Sequence, residues 1–346
     1  MTIDITERIW GGFLGGAIGD ALGEPVEFLS KEERLQRWGP IGVRGFVHPD
    51  GMGRFTDDTQ MTLFTAEALI LHAKTGEPLL IALHKAYLRW LVTQKFPSRI
   101  PPDTYLHEGF LLDEPILHKR MGPGRTCLRA LMEATDLGMP MVNDSKGCGG
   151  LMRVAPIGFW AALHPSDWDL RRTFTVASQA ALLTHGHPCG YLTAGFFAVL
   201  IRQVTLGLPV DEAVLASLRF LETLGKTGAP IRQFVHLAQD VAGKRVPWEQ
   251  AIQYFGAGWV AEEILAIAVY LGLTAPDFRT GIIQAANHPG DADSVGAIAG
   301  QLLGALHRKD SSLREWTMSI EGCCTIEIDI SKFLLASPSL PQEFLR

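Results

Sequence analysis

Residues 287–306 read NHPGDADSVGAIAGQLLGAL. Within them Val295, Ile298, Ala299, Leu302, Leu303 and Leu306 recur at i, i+3, i+4, i+7, i+8 and i+11, which gathers them on one face of a helix beginning beside DADS. Gly296, Gly300 and Gly304 interrupt that helix at every fourth position. An interior glycine costs a helix about 1 kcal/mol relative to alanine, so a compensating close approach by another helix is expected. The opposite end of the chain supplies a matching partner: Gly11, Gly15 and Gly19 repeat at the same interval, with Gly12 and Gly16 alongside. Taken alone the glycines imply only a tight core. Their consequence is that two small ridges would draw motifs from distant parts of the chain together.

The helical period continues through the rest of the sequence. Met61, Phe64, Ala68 and Leu71 repeat it directly after TDDT. The spacing predicts helices over roughly 6–20, 62–74, 79–94, 124–135, 172–184, 190–205, 211–223, 230–242, 247–254, 260–271, 276–286 and 295–307. Alternating runs are few and short, so the expected fold is all-α. One compact multi-helix domain over residues 1–346, with a metal-lined cleft between N- and C-terminal helices, fits the length and the pattern. Pro97, Pro101, Pro102, Pro115 and Pro123 break any long helix over 95–123, which reads as an irregular surface excursion of the kind that serves as a lid. No repeat of fixed period and no low-complexity tract is visible.

With 47% hydrophobic and 20% charged residues among 346, a large core can be buried. Five cysteines form an odd set with no C-x-x-C pair, which argues against a disulfide framework and a thiolate zinc site and favours a reducing cytoplasm. The N-terminus places acids before any apolar run, and no stretch reaches the roughly 18 apolar residues of a membrane span, so neither secretion nor insertion is expected. A net charge of -6 without a Lys/Arg cluster makes nucleic acid a poor partner.

Two segments carry unusual acid density. Thr56, Asp57, Asp58 and Thr59 stand at the start of one predicted helix, and Asp291, Asp293 and Ser294 at the start of another. Either alone reads as ordinary capping, since Asp and Thr are favoured there and the helix dipole welcomes acids. Capping needs one side chain per helix, however, and these starts offer four carboxylates. If they converge, charges about 4 Å apart repel by about 4 kcal/mol per pair at an effective dielectric of 20. No basic residue lies within either motif, whereas two divalent cations would neutralise four carboxylates. Ligation by oxygen alone favours magnesium, manganese or calcium over zinc or copper.

Three further features have both a bland and a chemical reading. Glu27, in GDALGEPVEF, is either solvated surface or a group that orients a hydroxyl or moves a proton. His185, in LLTHGHP, is either a core or capping histidine or a pocket residue, and no second histidine stands at the zincin spacing. SKGCGG, residues 145–150, is either a turn or a loop whose backbone N–H groups and Lys146 cradle phosphate oxygens. Cys148 within it has no base nearby in sequence, which argues against a nucleophile.

In their order, GGFLGGAIGDALGEPVEF, GRFTDDTQMTLFTAEAL, MGPGRTCLRAL, SKGCGGLMRVAPIGF, LLTHGHP, AEEILAIAVYL and NHPGDADSVGAIAGQLLGALH span roughly residues 10 to 307. Each is weak alone, but the ordered set resembles the ADP-ribosylglycohydrolase family. The resemblance implies an all-helical domain with two magnesium or manganese ions in a cleft. It implies Thr56, Asp57, Asp58, Asp291, Asp293 and Ser294 as ligands, with Asp58 and Asp291 also at the reacting centre. Glu27 matches the loop glutamate that assists catalysis. Ser145, Lys146, Gly147, Cys148 and Gly149 match the loop around the diphosphate and distal ribose of ADP-ribose, and His185 a pocket residue beside it. Several eukaryotic members carry Asn in place of Cys148 and an aromatic in place of Lys146, so SKGCGG looks like the bacterial branch.

The reaction so implied is hydrolysis of the glycosidic bond at C1 of the distal ribose, on an ADP-ribosylated protein or a small ADP-ribose conjugate. Two other classes compete. An all-helical magnesium-dependent phosphohydrolase would also use aspartate pairs, but Asp57-Asp58 has no third acid following and no His-Asp dipeptide exists. A non-catalytic ADP-ribose binder or structural protein on the same scaffold usually loses ligands, whereas the six matched positions keep theirs.

Overall fold

The computed structural model describes residues 2–337, which form sixteen α-helices with no β-strand among them. In order these are α1 (Thr2–Gly23), α2 (Lys31–Trp38), α3 (Asp57–Thr75), α4 (Leu79–Thr93), α5 (Arg125–Glu133), α6 (Ala155–Leu163), α7 (Leu170–Leu182) and α8 (Pro188–Thr205). They continue with α9 (Val210–Glu222), α10 (Ala229–Gly243), α11 (Trp248–Phe255), α12 (Ala261–Thr274), α13 (Phe278–Ala286), α14 (Ala292–Leu306), α15 (Ser311–Thr317) and α16 (Cys323–Leu335). The all-α expectation is met, and each of the twelve periodic segments is a helix. The four additional helices are α2, α6, α15 and α16. In α6, APIGFWAAL is buried along its whole length, so it has no polar face and no period to detect. The mostly charged α2, KEERLQRW, offers too few apolar positions for one.

Glycine sets the central contact. The α1 and α14 ridges meet in register: a Cβ at Gly296 would fall on the Gly19 carbonyl oxygen, one at Gly300 on that of Gly15, and one at Gly304 on that of Gly11. The two backbones touch, and no larger side chain fits between them. Against this pair lies α3, buried continuously from Asp57 to Ile70, with its N-terminus directed toward the start of α14: Ser294 Oγ, in the first turn of α14, donates to Asp58 Oδ2 at 3.3 Å. Gln301 of α14 extends this packing, donating through Nε2 to Met152 O at 2.8 Å and to Thr62 Oγ1 at 3.3 Å.

The proline-rich segment 95–123 contains only short 3₁₀ turns, at Pro102–Thr104, Leu111–Asp113 and Pro115–His118. It is laced onto α3 and α4 by a buried ion pair. Glu67 Oε2 accepts from Arg89, while Glu67 Oε1 accepts from the amides of Phe110 (2.6 Å) and Leu111 (2.9 Å), and Arg89 Nη1 donates to Tyr105 O at 3.2 Å. Its last residues reach the start of α3, where Asp57 N donates to Met121 O at 3.1 Å. All five cysteines are free thiols. No helix among the described residues is long and apolar enough to cross a membrane.

Replacing Gly300 by Ala is expected to lower stability by about 1–3 kcal/mol through overpacking, although helix propensity alone favours the change by about 1 kcal/mol. Gly243, at the exposed end of α10, has open space where a Cβ would go. There the same substitution is expected to be neutral or to stabilise by up to about 1 kcal/mol. Denaturant unfolding of both variants distinguishes a backbone contact from a general cost of alanine.

Candidate metal centre and active-site cleft

At the start of α3 the capping work is done by residues other than the aspartates. Thr56, in extended conformation, accepts from Asp58 N through Oγ1 at 3.3 Å. Asp20, fully buried in α1, accepts from Thr56 N through both oxygens at 3.0 Å and from Thr59 N and Oγ1 at 3.1 and 2.5 Å. The carboxylates of Asp57 and Asp58 are thus left for another purpose. In α14, Asp291 stands at the N-cap without making a side-chain cap bond, and only Asp293 Oδ1 takes a backbone donor, the amide of Ser294 at 2.9 Å.

The two helix starts converge. Ser294 Oγ and Thr56 Oγ1 donate to Asp58 Oδ2 at 3.3 and 3.4 Å, and Gly124 N donates to Asp57 Oδ2 at 3.0 Å. One carboxylate oxygen each from Glu27, Asp291 and Asp293 lie within 4.8 Å of one another. All four motif aspartates are buried, with Glu27 half-buried beside them.

Burial, then the charges of Asp293 and Asp57, push the Glu27 carboxyl up to about 8. Burial raises Asp57 to about 7 in spite of the Gly124 hydrogen bond. Burial and the neighbouring Asp293 carry Asp20, Asp58 and Asp291 well above the ordinary carboxylate range, and Asp293 is itself raised by burial. Among the described residues no lysine, arginine or histidine forms an ion pair with any of these five aspartates. Arg153 lowers Asp57 from a distance, but its own contacts are Thr184 Oγ1, Ala180 O, Met61 Sδ, Cys127 Sγ and the Tyr87 ring.

The residues present fit divalent cations. Their donor set is oxygen throughout, no ion pair among the described residues compensates their charge, and Asp58 Oδ1 is buried with no hydrogen-bond partner. A buried carboxylate oxygen left unpaired is costly unless a cation completes it.

The carboxylates floor a cleft of about 240 Å³ that is also lined by Gly122, Gly124, Arg125, Thr126, Cys127, Gly147, Cys148, Gly149, Met152, His185 and Trp259. SKGCGG passes over His185: a Cβ on Gly149 would stand 2.8 Å from Cys127 Sγ and 3.1 Å from His185 Cε1, which requires glycine there. Burial and Arg153 depress His185 to about 3, so its ring is neutral, with Nδ1 hydrogen-bonded to Thr184 Oγ1 at 2.8 Å. Cys148 Sγ donates to Asp291 Oδ2 at 3.1 Å, and burial and the nearby acids hold its thiol well above the ordinary value. It is a hydrogen-bond donor to a carboxylate rather than a thiolate.

Ser145 and Lys146 do not line this cleft. Ser145 Oγ lies 3.2 Å from Thr126 Oγ1 in an adjoining cavity, and Lys146 Nζ is engaged by the buried Glu262 at 2.7 Å. Thr56 contributes through its cap and its bond to Asp58. Sequence reasoning missed Asp20, whose signal was an acid inside a glycine-ridged apolar helix, and gave no role to MGPGRT, which supplies the cleft wall from Gly122 to Thr126. Trp259, stacked on the exposed Phe28 at 6.3 Å between ring centres, carried no pattern to find it by.

The sequence model of the family described as ADP-ribosylglycohydrolase matches residues 1–341. The ADP-ribosyl-[dinitrogen reductase] glycohydrolase of Rhodospirillum rubrum is 25% identical over 323 residues, covering 92% of this chain and 91% of that protein. An ADP-ribosylarginine hydrolase of Serratia proteamaculans is 24% identical over 315 residues, 90% of this chain and 74% of its own. A solved structure described as an ADP-ribosylglycohydrolase-related protein complex superposes with a TM-score of 0.66 at 25% identity, covering 97% of this chain and 99% of that one.

A raised carboxyl takes up a proton on folding, so its stabilising contribution is fully present below its ordinary value and is lost as pH climbs through about 7 for Asp57 and about 8 for Glu27. Asp58 is raised well above the ordinary carboxylate range by burial and Asp293, so in chelator Asp58→Asn should melt above the parent, with an advantage that grows as pH rises above that ordinary range. Mn²⁺ should raise the melting temperature of the parent more than that of the variant, because it binds the folded state. Thermal melts across pH, with and without Mn²⁺, check both signs.

Proposed function

The chain belongs to the ADP-ribosylglycohydrolase family, and from that premise we propose that it hydrolyses the glycosidic bond at C1 of the distal ribose in ADP-ribosylated protein, with arginine as the acceptor. One observation carries this reading above all: carboxylates from residues 57–58 and 291–293 share a buried cluster, without an ion pair to a basic side chain among the described residues, that opens into a cleft. The Serratia proteamaculans relative, an ADP-ribosylarginine hydrolase by name, supports the acceptor.

Two cations, magnesium or manganese, would be held by Asp57, Asp58, Asp291 and Asp293 with the hydroxyls of Thr56 and Ser294, and would supply Lewis-acid charge to the ribose hydroxyls and to a water. The remaining chemistry belongs to side chains. The water oxygen adds to C1 while the bond from C1 to the acceptor nitrogen breaks, and that nitrogen leaves with a proton. Positive charge accumulates on the ribose ring as the bond lengthens, and the surrounding carboxylates favour it. Glu27, beside Asp291 and Asp293, orients the water, takes its proton in the ionised form and passes that proton to the departing nitrogen. Within the 145–149 loop, Gly147, Cys148 and Gly149, which line the cleft, bind the diphosphate and distal ribose through backbone N–H groups, and the neutral His185 ring backs them. Cys148 fixes the rotamer of Asp291 through its 3.1 Å hydrogen bond.

Protein stripped with chelator and reloaded with Mn²⁺ or Mg²⁺ should release ADP-ribose from arginine-modified protein. Asp57→Ala and Asp293→Ala should abolish detectable release, and Glu27→Gln should slow it by about 10²–10⁴-fold. Absence of release from arginine-modified protein, serine-modified protein and O-acetyl-ADP-ribose alike, with either metal, would remove the proposal.

A further inference from the structure

Arg34 belongs to α2, outside every motif discussed so far, yet it is only 6% exposed. Its guanidinium meets no carboxylate in any ion pair among the described residues; Nε and Nη1 are bonded by main-chain carbonyls, while Nη2 is buried without a hydrogen-bond partner. Nε donates to Leu29 O at 3.0 Å, while Nη1 donates to Asn287 O at 3.3 Å and to His288 O. Leu29 lies two residues after Glu27, and His288 three residues before Asp291. One rigid, planar group therefore joins the turn that carries Glu27 to the loop that carries Asp291 and Asp293, segments more than 250 residues apart.

Asn287 makes a separate tie from the same loop. Its side chain accepts from Val43 N at 2.9 Å and donates to Val43 O at 2.8 Å, pinning the 42–43 turn rather than the Glu27 turn. Behind both lies a cavity of about 460 Å³ bordered by Arg34, Asn287, Pro289, Trp248 and Ile283, about twice the volume of the cleft. The loop that bears the ligands thus has free space on its far side. The loop also meets residue 257, where Asp291 N donates to Ala257 O at 3.0 Å and Gly290 lies against the Ala257 backbone, and Arg34 is the contact that links it to the Glu27 turn.

We infer that Arg34 is a positioning residue that sets the spacing between Glu27 and the Asp291–Asp293 pair, and through that spacing the affinity of the cluster for divalent cations. The inference rests on the metal-centre reading above. A lysine cannot replace the group, because a single ammonium lacks the fork that reaches Leu29 O and the Asn287 and His288 carbonyls together.

The test is calorimetric titration of Mn²⁺ into chelator-stripped protein for the parent, Arg34→Met, Arg34→Lys and Asn287→Ala, with the melting temperature of each measured in chelator. Outer contacts of this kind typically change metal affinity by about 10–100-fold, so Arg34→Met should fall in that range, Arg34→Lys should lose a smaller part, and Asn287→Ala should stay within about twofold of the parent. In turnover, Arg34→Met should lower kcat at saturating Mn²⁺ with KM for modified protein little changed, a split that simple loss of fold would not give. Should Arg34→Met prove unfolded in chelator, Arg34→Lys carries the decision alone. Parent-like Mn²⁺ affinity in Arg34→Lys, or an equal loss in Asn287→Ala, overturns the positioning role. A parent that binds no Mn²⁺ overturns the metal-centre reading itself, and binding without ADP-ribose release overturns only the proposed reaction.

Discussion

Backbone touches backbone where α1 crosses α14, and the rest of the molecule is arranged around that contact. Interlocked glycines at positions 11, 15, 19, 296, 300 and 304 leave no side chain between the two helices. Each glycine weakens its own helix by about 1 kcal/mol. The return is positional: Asp20, near the C-terminal end of α1, reaches the first turn of α3, and the turn after α1 brings Glu27 to the first turn of α14. Any wider separation would leave the free amides of α3 without Asp20 and would pull Glu27 away from Asp291 and Asp293.

The electrostatics follow from that geometry. Helix starts ordinarily use an acid as a cap, but here Thr56 and Asp20 satisfy the amides of α3, and the remaining carboxylates face one another in a buried space. Like charges at such spacing repel by about 4 kcal/mol per pair, more than a folded domain tolerates several times over. Protonation or cation binding are the two ways to relieve this. The oxygen-only donor set and the unpaired Asp58 Oδ1 suit the second. A cation bound there would couple its affinity to the stability of the fold.

Around the cluster the chain spends other interactions on keeping things in place. The buried Glu67–Arg89 pair ties the irregular 95–123 segment to α3 and α4, so that its end can deliver Met121 O and Gly124 N to Asp57. Cys148 donates to Asp291 and fixes one rotamer. Lys146, which in sequence reads as a phosphate ligand of its loop, is held instead by Glu262.

How much of this was legible in the sequence depended on whether a physical period existed to be read. Amphipathic helices announced themselves, because one face must be apolar and the other wet; α6 did not, since every face of it is buried. Asp57, Asp58, Asp291 and Asp293 were visible because four acids exceed what two caps require. Asp20, Trp259 and Arg34 were not, as a single acid, ring or guanidinium in a chain has no spacing that marks its partner. The sequence by itself determined the helices, the glycine ridges and the surplus of carboxylate, all of which are local in the chain. Only the tertiary structure decided which acids cap and which are free, and where Lys146 and Arg34 point. Those outcomes are set by contacts between segments hundreds of residues apart, whose pairing no local pattern encodes.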